Sequence, residues 1–187
     1  ILINPPFLKN FSRTQRSPGV TKSGTIYYPY WLCYAAGVLD KEGHEVRIVD
    51  ASPVEMSLEG LKKIVRDFYP DMAVVDTSTP SIKNDCFVAR ELKTSIPGMV
   101  VALVGTHVSA VPEETLALEP AVDVVAVGEY DAVLKELAGQ LKDRSGWPGV
   151  KGICFRQDGK IVRNPPGPLL ADLDELPFVS EIYKKFI

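Results

Sequence analysis

The sequence predicts an α/β protein built on a doubly wound, five-stranded parallel sheet of the Rossmann or flavodoxin type, followed by a β-hairpin and a linker. Three observations predict it. Short apolar runs rich in β-branched residues alternate with amphipathic segments of helical period, a rhythm that calls for parallel pairing through crossover helices. The core runs lack polar/apolar alternation, as strands covered on both faces do. The rhythm changes only after Trp147, Pro148 and Gly149, where segments 152–156 and 160–163 flank Asp158 and Gly159, a strong hairpin signal.

The elements follow in order. Residues 1–3 form the first strand, cut off by Asn4, Pro5 and Pro6, where proline removes donors and forces a loop. The polar stretch 9–25 is too long for an ordinary connection in a compact domain and is read as functional or mobile. Residues 31–41 form a helix with Leu32, Ala35, Ala36 and Leu39 on one face and Gly43 placed for a left-handed terminus. Residues 45–50 are the second strand. Ser57 caps a helix striped by Leu58, Leu61, Val65 and Phe68. Residues 72–75 are the third strand, followed by a helix through Ile82, Cys86, Ala89 and Leu92. Residues 99–104 are the fourth strand, Pro112 opens a short helix, 123–127 are the fifth strand, and Val133, Leu134, Leu137 and Leu141 stripe a last helix. The tail 170–187 has no apolar run long enough for a core element and reads as a connector.

The 187 residues suffice for one well-buried domain plus an appendage, with the division expected as 1–145 and 146–187. A formal net charge of -3 points to neither a nucleic acid nor an anionic membrane as partner. No apolar run approaches the roughly 20 residues of a bilayer span, and the first residues do not resemble a signal peptide. The three cysteines, Cys33, Cys86 and Cys154, are far apart and odd in number, which fits unpaired thiols in a reducing cytoplasm. No CxxxCxxC is present, so this segment by itself does not hold an iron–sulfur cluster, and no residue is assigned a catalytic or metal-ligating role.

In an open parallel sheet, ligands bind beyond the carboxyl ends of the strands, near the point where strand order reverses. The loops there are small, hydroxyl-rich and glycine-bearing: Asn4, Pro5 and Pro6 after strand one, 76–81 after strand three, 105–110 after strand four, 128–131 after strand five. Such loops let a backbone approach a bulky flat ligand, although turns and helix caps use the same residues. No GxGxxG follows strand one and no GxxxxGK[ST] occurs, which argues against dinucleotide and P-loop sites.

The ordered segments LINPP, YPYWLCYAAGVLDKEGHEVRIVDA, PDMAVVDTSTPS, VVALVGTHVSAVPEETL and VDVVAVGE closely resemble the cobalamin-binding domain of radical S-adenosylmethionine enzymes. GICFRQDGKIV and DLDELPF resemble the bridge to their radical domain. The resemblance implies a cobalamin lying across the strand ends with its nucleotide tail running into the sheet. Ser78, Thr79, Pro80, Gly105, Thr106, His107 and Ser109 would flank the tail, Asn4, Pro5 and Pro6 would approach the corrin, and Gly128 and Glu129 would close the far side. It implies further a 4Fe-4S cluster and S-adenosylmethionine in a following radical domain, the partner of this one. The parent would be a methyltransferase or an oxidoreductase such as the anaerobic oxidative cyclase, and this segment alone would be non-catalytic. Thr106 stands where the family often has a second glycine, and its Cβ narrows that passage.

The Asp-x-His-x-x-Gly of mutase-type cobalamin domains is absent, so no histidine is expected on cobalt. His44 falls at the amino end of the sheet; His107 is either a tail contact or a loop-packing residue. The lower cobalt position is left to water, to nothing, or to Tyr27 or Tyr28. Tyr27, Tyr28, Tyr30 and Trp31 either edge the corrin or seat the first helix on the sheet, and Lys9, Arg13, Arg16 and Lys22 read as a solvated, mobile face rather than a phosphate clamp. The rival reading is a flavodoxin-like scaffold or regulatory domain that binds no corrin.

Overall fold

A computed structural model describes residues 1–167 and 169–187. Its main sheet has seven strands in the order β4-β1-β5-β6-β7-β8-β9. The first five positions are the predicted parallel core: β4 (Ile48–Asp50), β1 (Leu2–Asn4), β5 (Met72–Thr77), β6 (Val100–Gly105) and β7 (Val124–Ala126). The hairpin β8 (Ile153–Gln157) and β9 (Lys160–Arg163) continues the sheet antiparallel to β7. Its turn places Asp158 at φ 50° and Gly159 at φ 75°, two successive left-handed residues that match the right-handed twist of the flanking strands.

Strand alternation divides the apolar residues between two layers. Leu2, Ile48, Met72, Val74, Val100, Ala102 and Val124 face α1 (Tyr30–Lys41) and α6 (Asp131–Ala138). Ile3, Val49, Ala73, Val75, Val101, Leu103 and Val125 face α2 (Leu58–Phe68), α3 (Ile82–Ser95) and α5 (Pro112–Leu118). Burial on both faces is why the core strands read as continuous apolar runs. Local signals act as expected: the Ser57 hydroxyl accepts from Gly60 N at 3.1 Å to cap α2, and Gly43 adopts φ 85° just past α1.

Three segments differ from the sequence reading. Stretch 9–25 is an ordered strap: β2 (Phe11–Ser12) pairs antiparallel with β3 (Gly19–Val20), and Phe11, Ser12, Arg13 and Thr14 are all buried. The loop after β6 winds into a short helix, α4 (Thr106–Ala110), whose Val108 enters the core. The tail, expected to lack a core element, forms α7 (Val179–Phe186), which packs on α1 and buries Ile182. Val179, Ile182, Tyr183 and Phe186 recur at helical spacing against that layer, a stripe the sequence reading passed over.

The tail docks closely because Gly37 of α1 has no side chain: a Cβ there would meet the Pro177 ring and, at 3.0 Å, Ile182. Gly37→Ala is expected to lift residues 177–186 from α1. Amide hydrogen exchange should accelerate in α7 while protection of β5 and β6 stays unchanged.

Candidate functional site

The chain runs from β1 outward to β4 and then back past β1 to β5, so strand order reverses between β1 and β5. Their carboxyl ends carry Asn4 and, on β5, Asp76 and Thr77. In sheets of this type that reversal opens a crevice. Here the strap enters it with the side chain of Arg13. The Arg13 Nη1 donates to Asn4 Oδ1 at 2.8 Å and to the Pro5 carbonyl at 3.0 Å, and Nη2 donates to Asp85 Oδ1 at 2.5 Å. Both charged groups of that ion pair are inaccessible, with side-chain exposures of 1% and 0%. Asn4 Nδ2 passes the network on to Asp50 at 2.7 Å, and Ser81 Oγ donates to Asp85 at 2.6 Å while meeting Ser78 Oγ at 2.6 Å. Arg13 is thus neither a solvated loop residue nor a phosphate clamp, and the strap is not loose. Lys9, Arg16 and Lys22 do lie on the exposed side.

One guanidinium serves three buried carboxylates. Burial pushes Asp50 up to about 6, against hydrogen bonds from Asn4 and Tyr183. It pushes Asp76, which has no such donors beyond the backbone of Thr77, up to about 7. Burial also raises Asp85, opposed by Arg13 beside it and by the Ser81 hydroxyl. Asp131, at the start of α6, is raised to about 6 by burial. Buried acids with displaced titration gather at this end of the sheet, where functional sites are expected.

Beside the filled crevice lies an open ledge formed by the ends of β5, β6 and β7. Thr77 pairs with Gly105 across β5 and β6, and Gly105 adopts φ 113°. A Cβ there would strike the Thr77 carbonyl, so only glycine fits. Gly128, at φ 78°, has nothing above it within 4 Å of where a Cβ would stand. Ser109 ties the two glycines together, its Oγ donating to Gly105 O at 2.8 Å and accepting from Gly128 N at 2.9 Å. Thr79, Pro80, Thr106, Gly128 and Glu129 are exposed along this ledge, and His107 Nδ1 stands 3.3 Å from Thr79 Oγ1. Bare backbone, hydroxyls and one imidazole suit a large ligand with a polar rim.

The predicted site residues therefore fall into two groups. Those on the ledge lie together and open. Asn4, Pro5 and Ser78 are buried beneath the strap, with the side chains of Asn4 and Ser78 engaged in the network. Pro6 is half-buried. The aromatic residues do not seat α1, which Leu32, Cys33, Ala35 and Ala36 do; Tyr27, Tyr28 and Trp31 remain 52%, 41% and 54% exposed. Tyr28 packs against Tyr183 of α7 at 5.0 Å. Between the strap and the start of α1, Thr14, Gln15, Arg16, Ser17, Tyr27 and Tyr30 line a cavity of about 550 Å³. His44 lies at the far end of the sheet beside Ile1 and Met72. All three thiols are free and buried, with Cys33 pushed up to about 12 by burial. Among the described residues no helix is long and apolar enough to cross a membrane.

The sequence reading missed Asp50 and Asp85, took Arg13 for a solvated residue, and gave Asp76 and Tyr130 no role beyond membership of their loops. The two strand-terminal acids carried a signal, a carboxylate closing an apolar run (RIVD, MAVVD); Arg13 and Asp85 carried none.

Two outcomes follow from this charge balance. Arg13→Ala leaves Asp85 buried without its partner and should lower unfolding free energy by about 3–5 kcal/mol in urea denaturation near neutral pH. Asp76 holds its proton more tightly when folded than at its ordinary value of 3.8, so folding loses stability as pH rises from about 4 through about 7. Asp76→Asn removes that loss: its melting temperature relative to the parent chain should be higher at pH 8 than at pH 5. A constant difference would contradict the assignment.

Comparison with known proteins agrees with this fold. The B12 binding domain family matches residues 16–138. An uncharacterised methyltransferase of Pyrococcus horikoshii is 31% identical over 157 residues, covering 84% of this chain and 34% of that protein. The anaerobic magnesium-protoporphyrin IX monomethyl ester cyclase of Cereibacter sphaeroides is 30% identical over 156 residues, covering 79% of this chain and 25% of that protein. Among solved structures, the cobalamin-dependent S-adenosylmethionine radical enzyme OxsB with aqua-cobalamin bound superposes with a TM-score of 0.72 at 17% identity, over 90% of this chain and 22% of that one. At that identity the likeness speaks for the fold alone. The chain spans about a third or less of the length of these relatives. With the family matched over most of its length and the same α/β architecture, this chain belongs to the B12-binding domain family.

Proposed function

We propose that this chain is the cobalamin-holding part of a larger cobalamin-dependent radical S-adenosylmethionine enzyme, with the cofactor resting on the ledge at the ends of β5, β6 and β7. The relatives are named as methyltransferases and as a cyclase, which supports methyl transfer or radical oxidation and cyclisation as the reaction class of the whole protein. A 4Fe-4S cluster and S-adenosylmethionine would belong to a radical domain following the segment 146–187.

The observation that carries the reading is the ledge itself. Gly128 keeps backbone bare where a flat macrocycle would settle, and Ser109 ties it to Gly105, whose missing side chain lets β6 close on Thr77. The residues present fit cobalamin: Thr79, Thr106, His107 and Glu129 offer polar groups to its amide rim, and exposed Tyr27, Tyr28 and Trp31 offer apolar area at its margin. Cobalamin bound there would supply a cobalt centre able to carry a methyl group or an electron. The chain's own residues would bind and orient it, exclude water from one face and keep the strap closed.

No histidine is proposed as a cobalt ligand. His44 is at the wrong end of the sheet, and His107 faces Thr79 at the start of α4.

The test is direct. The purified chain, mixed with hydroxocobalamin and desalted, should retain corrin absorbance near one equivalent. His44→Ala and His107→Ala should retain a corrin spectrum of unchanged band positions. Loss of all corrin from the parent chain would favour the non-binding scaffold, and a shifted spectrum in either variant would put a histidine on cobalt.

A further inference from the structure

The strap is anchored on the segment that ends β4. Ser52 Oγ donates to the Phe11 carbonyl at 3.0 Å, and Asp50 Oδ1 accepts from Asn4 Nδ2, while Asn4 Oδ1 accepts from Arg13. Asn4 is used at both ends of its amide, so its orientation, and with it the seat of Arg13, depends on where the Asp50 carboxylate points. That carboxylate stands at the end of a strand of three residues on the margin of the sheet, paired on one side only. Side-chain partners therefore matter to its position.

One of those partners comes from the tail. Tyr183 of α7 donates its hydroxyl to Asp50 Oδ2 at 3.4 Å, the oxygen that Asn4 leaves free. Burial and the neighbouring carboxylate hold the phenol proton on, so Tyr183 stays a donor. Its ring also packs on Tyr28, 5.0 Å away. Tyr28 lies 6.2 Å from the ring of Tyr30, whose hydroxyl donates to the Thr14 carbonyl of the strap at 3.1 Å. Tyr183 thus reaches the strap by two routes, one through Asp50 and Asn4 to Arg13, the other through Tyr28 and Tyr30 to Thr14. The helix that carries it is attached lightly: eight residues against α1, docked closely where Gly37 admits Pro177, with Lys185 paired to Asp40 at the surface. A short helix held this way opens at lower free energy than the sheet does.

We propose that α7 is a latch for the strap: docked on α1 it holds the strap closed through Tyr183, and lifted it lets residues 11–20 open. Tyr183 is the positioning residue of this device, acting on Arg13 through Asp50 and Asn4. The coupling needs no cofactor and stands apart from the proposed function. Under that function, movement of the tail would open or close the strap beside the ledge.

Amide hydrogen exchange of the ligand-free chain at neutral pH tests it, with Tyr183→Phe, Gly37→Ala, the double variant and Ser57→Ala compared with the parent. Tyr183→Phe deletes one oxygen and should speed exchange in residues 11–20 about 3- to 10-fold, the worth of one hydrogen bond, with β5 and β6 still protected. Gly37→Ala, which displaces the tail from α1, should speed the same amides at least as much. In the double variant the strap should exchange no faster than in Gly37→Ala alone, since both changes break the same link. Ser57→Ala weakens the cap of α2, away from this link, and should leave exchange in the strap unchanged. The inference is overturned if either single variant leaves the strap as protected as in the parent, if the two effects multiply in the double variant, or if Ser57→Ala speeds the strap equally. A parent chain that binds no corrin yet shows the expected exchange pattern would sink the proposed function and leave the latch standing.

Discussion

The end of the sheet that faces the ledge depends on one buried ion pair, that of Arg13 with Asp85. Taking both charges out of water is costly, and the cost is offset by close geometry and by partners for most of the spare groups, Arg13 Nε alone of the guanidinium nitrogens having none among the described residues. Asn4, Pro5, Ser78 and Ser81 supply those uses. The pair fixes a loop of more than twenty residues at its deepest point, and it places a buried guanidinium among Asp50, Asp76 and Asp85. Remove the cation and the carboxylates face one another in a poorly solvated pocket. The strap, the strand ends and the protonation of the acids are therefore one problem with one solution.

The same pair divides the carboxyl edge of the sheet. Arg13 occupies the crevice where strand order reverses, the usual place for a ligand in this class of sheet. The accessible surface moves along to the ends of β5, β6 and β7. There Gly128 leaves its backbone bare, tied through the hydroxyl of Ser109 to Gly105 at the end of β6. Asp76 and Tyr130 lie just beneath, a polar pair within an otherwise apolar layer.

What the sequence made legible was whatever depends on neighbours close in the chain. Burial on both faces leaves continuous apolar runs, Ser57 three residues before Gly60 marks a helix start, and Asp158 with Gly159 marks a turn. The loops that form the candidate site were legible too, because topology brings the carboxyl ends of parallel strands together. The residues that build the site were less so. Arg13 sits in a polar stretch with no period, and its partner lies 72 residues away, beyond any local pattern. Asn4 and Ser78 have the composition of ligand contacts, yet their side chains are engaged by groups that only the fold brings near. The helix α7 carries a stripe of its own, Val179, Ile182, Tyr183 and Phe186, but it spans only eight residues after a polar, proline-bearing stretch, and the glycine it docks against lies far upstream.

The hairpin has a consequence for how this sheet behaves among other chains. A parallel sheet ends in rows of unpaired amides and carbonyls that can recruit a strand from a neighbour. Here one margin is β4, only three residues long. The other is β9, four residues bracketed by Lys160 and Arg163, both exposed. By reversing direction, β8 and β9 cover the side of β7 and present instead a short border with a cation at each end. Arg163 is held by Glu113 of α5, so the end of that border is anchored to the helix, and the shortness of both edge strands discourages strand addition.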